Sequence, residues 1–146
     1  MTQEDTALKL YLVLARATET INKKLALCIR GYGLNTTEFG VLELLFHKGD
    51  QPIQKIGDKI LIASSSITYV VDKLEKKGYL ARVSCPVDRR VIYATLTEAG
   101  RDLISEVFPK HKTTIYQLFD HFTESEQLLL TSQLKKLGYY AQDLDI

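Results

Sequence analysis

The chain has 146 residues, 45% apolar and 25% charged, which suits one folded domain and excludes a disordered or fibrous protein. No apolar run approaches the roughly 20 residues of a membrane span, the first residues (MTQEDTALK) are acidic where a signal peptide is basic, and two cysteines cannot frame a disulfide scaffold, so the expectation is a soluble, cytoplasmic chain without a membrane partner. The net charge of +1 hides an asymmetry: residues 48–101 hold ten Lys or Arg against six Asp or Glu, a local +4 against −3 elsewhere, so the middle of the chain suits a polyanion.

The first predicted element is a helix over residues 6–30, with Leu10, Leu14, Ala17, Ile21, Leu25 and Cys28 at steps of three and four, ended by Gly31 and Gly33. Asn35-Thr36-Thr37-Glu38 carries a capping pair that starts a second helix, whose inward face is Phe39, Leu42, Leu45 and Phe46. Gly49 closes it, and Pro52 opens a short helix to about Ile60 with Ile56 and Ile60 inward. Ala63-Ser64-Ser65-Ser66 reads as a turn before a further helix with Ile67, Val70, Val71 and Leu74 on one face, stopped by a left-handed Gly78.

After Gly78 the pattern changes to β-branched and aromatic residues. Residues 79–84 and 91–96 predict a two-stranded hairpin around the loop Cys85-Pro86-Val87-Asp88-Arg89-Arg90. Thr97-Glu98 caps a long helix with Leu103, Val107, Ile115, Leu118 and Phe122 on its face, which Pro109 should bend or interrupt. A capping box at Thr123-Glu124-Ser125-Glu126 starts a last helix faced by Leu130, Leu134, Leu137 and Ala141. The terminal helices carry more apolar stripe than one small chain can cover, which predicts that they pack on each other and on a second copy.

Two short helices joined by a turn and followed by a hairpin make a winged helix-turn-helix, within a mostly α (α+β) fold. Burial of 67, 70, 71 and 74 turns Ser65, Ser66, Thr68, Tyr69 and Lys73 outward, where a helix of this width fits a DNA major groove. Ser64 joins them at the helix start, where small hydroxyls and free N–H groups admit a phosphate. Arg89 and Arg90 at the hairpin tip suit the negative potential of a minor groove, and Asp88 beside them suits an arginine brace.

Ser65-Ser66-Ile67-Thr68-Tyr69-Val70-Val71-Asp72-Lys73-Leu74-Glu75-Lys76-Lys77-Gly78, and Asp88-Arg89-Arg90 running on to Leu96-Thr97-Glu98-Ala99-Gly100, resemble the MarR family of bacterial transcription regulators. The resemblance extends over the whole chain. It implies that Arg90 is the minor-groove arginine, Asp88 its support and 65–73 the major-groove readers. Many members have arginine where this chain has Tyr69. Within the family, Thr37-Glu38-Phe39, Gly49-Asp50-Gln51-Pro52 and Ser66-Ile67-Thr68-Tyr69 look most like the quinone- and catechol-responsive MhqR group. The resemblance further implies a homodimer on an inverted-repeat operator, with half-sites about 34–36 Å apart. Residues 1–34 and 98–146 would then form the dimerisation region and 35–97 the DNA-binding region.

Family members commonly bind a small aromatic ligand between these regions, which makes Tyr11, Arg16, Phe39, Leu42 and His47 candidate lining residues. Cys85 is a second candidate sensor, since nearby Arg82, Arg89 and Arg90 favour a reactive thiolate that a quinone or oxidant could modify. Cys28 falls on the apolar stripe and reads as packing. His47, His111 and His121 lack metal-ligand spacing, and there is no Gly-rich phosphate loop, H-E-x-x-H or G-x-S-x-G, so no metal, cofactor or enzyme activity is expected. The alternative to a repressor is a winged-helix module that binds a protein without specific DNA binding.

Overall fold

The computed structural model describes residues 1–60 and 64–146; Ala63, and the side chains of Ser64 and Ser65, lie outside the described residues. Thr2 and Asp5 close a reciprocal cap, the Thr2 hydroxyl oxygen accepting from the Asp5 N–H and the Asp5 carboxylate from the Thr2 N–H. Helix α1 (Gln3–Arg30) therefore begins three residues earlier than its apolar spacing indicates. Asn35 and Glu38 form the expected box at the start of α2 (Thr36–Lys48).

Strand β1 (Gln51–Pro52) leads directly into α3 (Ile53–Lys59), and α4 (Ser64–Lys76) follows. The serines at 64–66 thus belong to the helix rather than to a preceding turn, because their backbone continues the α4 ladder. Strands β2 (Leu80–Ser84) and β3 (Ile92–Leu96) form the predicted hairpin, with Leu80 opposite Leu96 and Ser84 opposite Ile92. The sheet has three strands in the order β1-β3-β2, so the two-stranded expectation was incomplete. Gln51 pairs with Ala94 and Pro52 with Tyr93, a contact between segments some forty residues apart that no local pattern announces.

The chain divides into two compact units, Met1–His111 and Lys112–Ile146. In the first, the predicted faces of α2 and α4 meet in one core: Phe39, Leu42 and Leu45 are buried with Ile67, Val70, Val71 and Leu74, joined by Ile29, Ile56, Leu80 and Ala94. Each large aliphatic group so buried contributes about 1.5–3 kcal/mol. Helix α5 (Glu98–Phe119) passes through Pro109 without interruption. Its buried stripe is Gly100, Ile104 and Val107; of the predicted face Val107 is buried and Leu103 packs half-buried against the core, while Phe122 lies beyond the helix end, so the inward face is the predicted one turned to take in Ile104. Gly100 explains the rotation, because a Cβ there would stand 2.0 Å from the Tyr79 carbonyl oxygen. Only hydrogen at this position lets α5 start against the hairpin's entry.

In the second unit, Thr123 and Glu126 cap α6 (Glu124–Asp143) as expected. The Gln127 side chain donates to the carbonyls of Phe119 and Phe122, fixing the turn before it. None of α6 is buried, and Leu130, Leu134, Leu137, Tyr139 and Tyr140 face solvent. In the first unit, Leu8, Leu10, Tyr11, Leu12 and Val13 of α1 do the same. Among the described residues no helix is long and apolar enough to cross a membrane.

Candidate nucleic-acid interface

Helix α4 is amphipathic by sequence, and the core takes its apolar side. What remains outside is Ser66, Thr68 and Tyr69, the last with 64% of its surface exposed. Lys73, one turn on, lays its ammonium 5.3 Å from the Tyr69 ring centroid, a cation–π distance that gathers the two into one cationic, aromatic patch. Gly78 ends the helix at φ 83°, the left-handed geometry predicted for it, and the Tyr79 N–H donates back to the Leu74 carbonyl.

Three ion pairs fix this helix in place. Beyond its end, Lys77 reaches the buried carboxylate of Glu38 at 2.7 Å, which also receives the Asn35 N–H at 2.9 Å. On its flank, Arg82 of β2 bonds Asp72 at 2.5 Å and Glu75 at 2.7 Å. The hydrogen bond to Asp72 holds the Arg82 guanidinium above its ordinary pKa, so it is a fixed cation. In the sequence Arg82 stands out merely as a neighbour of Cys85. The acids at 72 and 75, three apart on one helix face, were the available sign that a cation should meet them.

The loop between β2 and β3 is closed by Cys85 N–H to Val91 O at 2.9 Å and Val91 N–H to Asp88 O at 3.0 Å. At its tip Arg90 donates from Nε and Nη2 to the two oxygens of Asp88, at 3.0 and 3.1 Å. These bonds hold the Asp88 carboxyl below its ordinary pKa. The Arg90 side chain is nonetheless 90% exposed, and Arg89 beside it is exposed as well. The brace expected between Asp88 and Arg90 is present. Cys85 is a half-buried free thiol, and two of the arginines near it in sequence are committed to carboxylates.

The candidate ligand residues scatter. Tyr11 is exposed on α1, and Arg16 lies on an open face of the same helix with Val13, Ala17, Thr20 and Ile21. Leu42 is wholly inside the core. Phe39 and His47 take part in an aromatic cluster with α5: the Phe39 ring lies 4.6 Å from His111 and the His47 ring 4.5 Å from Phe108. His47 also borders a depression of about 380 Å³ with Glu43, Leu44, Lys48 and Lys59. Phe108 carries no signal of its own in the sequence, and His111 enters there only as a metal-ligand candidate. His111 Nδ1 is buried without a hydrogen-bond partner, and burial pushes this imidazole's pKa down, with Glu43 opposing. Among the described residues, no three His, Cys, Asp or Glu side chains group as metal ligands.

A helix pair packed under a three-stranded sheet, with a polar helix face and an arginine-tipped loop both open to solvent, defines a winged helix-turn-helix protein. The MarR family pattern matches residues 34–92, which run from the end of the α1–α2 connection to the start of β3. The HTH-type transcriptional regulator MhqR of Bacillus subtilis is 52% identical over 136 residues, covering 93% of this chain and 94% of that protein. The chain belongs to the MarR family of transcription regulators. Among solved structures, a Streptomyces coelicolor MarR family regulator in complex with DNA shares the fold, with a TM-score of 0.84 at 22% identity over 94% of this chain and 88% of that one. Bordetella bronchiseptica BpsR, whose DNA binding is regulated by 6-hydroxynicotinic acid, aligns with a TM-score of 0.78 at 25% identity over 91% of this chain and 92% of that one.

Proposed function

We propose that the chain is a cytoplasmic, homodimeric repressor that binds an inverted-repeat duplex and releases it when a small aromatic, phenolic or quinone-like molecule binds. The observation that carries the DNA reading is the exposed Arg90 held in a fork by Asp88. An arginine aimed at solvent, with its ordering cost already met by its own loop, is preorganised for a narrow groove. Ser64, Ser65, Ser66, Thr68, Tyr69 and Lys73 serve as major-groove and phosphate contacts, and Arg89 and Arg90 as wing contacts.

The dimer reading rests on the uncovered leucines and tyrosines of α1 and α6, which a second copy would bury. Residues 1–34 and 98–146 accordingly form the dimerisation region and 35–97 the DNA-binding region. For the ligand, His47 borders the depression of about 380 Å³, and Phe39, Phe108 and His111 pack around it as an aromatic cluster whose buried, unpaired His111 Nδ1 would bond a phenol or carboxylic acid if the rings part. BpsR, regulated by an aromatic acid, supports that ligand class. A ligand there acts only by preferring the geometry that fits DNA poorly.

Selection of duplexes from a randomised pool by the full chain, followed by footprinting, tests this. The reading expects a symmetric protected site and a dimer in sedimentation. Equal retention of every sequence would point instead to a protein-binding winged helix.

A further inference from the structure

We infer that Arg82 is a positioning residue for duplex recognition, joining the wing to α4 and offsetting part of the negative charge of Asp72 and Glu75 on the flank they share with Thr68. The inference rests on the DNA-binding reading. Asp72 lies four residues after Thr68, and Glu75 three further on, so the three occupy one strip of the helix. Thr68 is exposed, and the two acids would put two negative charges beside a groove lined with phosphates. Arg82, opposite buried Ala94 in the sheet register, places one guanidinium nitrogen on each carboxylate, at 2.5 and 2.7 Å. One cation offsets part of that charge on the helix and fastens β2, and with it the Asp88–Arg90 loop, to the same helix. A lysine has one ammonium and no planar fork, so it cannot hold both acids in this geometry.

The experiment uses the full chain and a duplex that the wild-type protein selects from a randomised pool, at a temperature where melting curves show every variant folded. Arg82→Gln should weaken binding about tenfold or more. Adding Asp72→Asn and Glu75→Gln to that variant should recover the part of the loss that the uncompensated acids cause and leave the part caused by the untied wing, and Arg82→Lys should fall between wild type and Arg82→Gln. Wild-type affinity in Arg82→Gln overturns the inference. So does a loss that the two neutralising substitutions leave untouched, which would mark Arg82 as a direct phosphate contact or a mere fold support. If the wild-type chain selects no duplex, the DNA-binding reading fails first and carries this inference with it.

Discussion

Asp88 accepts three hydrogen bonds from Arg90, one from its backbone N–H and two from its guanidinium, yet leaves that side chain almost wholly in solvent. The arrangement spends bonds on orientation rather than on the core. Arg90→Ala should therefore weaken duplex binding by about 1–3 kcal/mol, roughly fivefold to over a hundredfold, while the melting temperature stays within about a degree. Fluorescence anisotropy and a thermal melt measure the two effects on one sample.

Asp88→Ala separates two views of the acid. As a brace, it makes a flexible Arg90 bind worse, so the variant should lose affinity, though less than Arg90→Ala because the cation remains. As a mere negative charge at the interface, its removal would tighten binding. The sign of the change in anisotropy titrations decides.

Gly100 stands where α5 meets the Tyr79 carbonyl, and that carbonyl is itself held by the Thr97 N–H at 3.2 Å. Gly100→Ala forces a methyl group into backbone that has little room to yield. It should cost about 1–3 kcal/mol, read as a lower denaturant midpoint at unchanged slope.

Much of this architecture is legible locally. The caps at Asn35 and Thr123, the buried face of α4, the left-handed Gly78 and the hairpin all follow from short-range rules, and the structure holds each of them. Within the candidate site, the Asp88–Arg90 brace follows from two residues in one loop. What escaped the sequence is non-local. β1 is two residues long and exists through its pairing with β3. The Arg82 clamp and the Phe39–His111 contact each join segments whose approach is set by packing. The face of α5 is legible at Val107 but not at Ile104, for a like reason: Leu103 and Ile104 are both apolar, and the close approach at Gly100 favours Ile104.

His111 gives a pH dependence with a definite sign. Burial lowers its folded pKa below the ordinary 6.5, so the unfolded chain takes up the proton first as pH falls. Its stabilising share is intact above 6.5 and is lost as pH drops from there through the folded value. His111→Leu should flatten the fall of melting temperature between about pH 7 and 5 relative to the wild-type chain. Parallel curves would mean that the imidazole titrates as it does in water.

The most direct test of the central claim is the salt dependence of affinity for the selected duplex. If α4 and the Arg89–Arg90 tip grip phosphates on two half-sites, as proposed, binding releases counterions and the logarithm of the association constant should fall linearly with the logarithm of salt. The predicted loss is about a thousandfold or more between roughly 50 and 200 mM. A nearly flat line over that range would contradict the account, because a surface that ignores salt is not gripping a phosphate backbone.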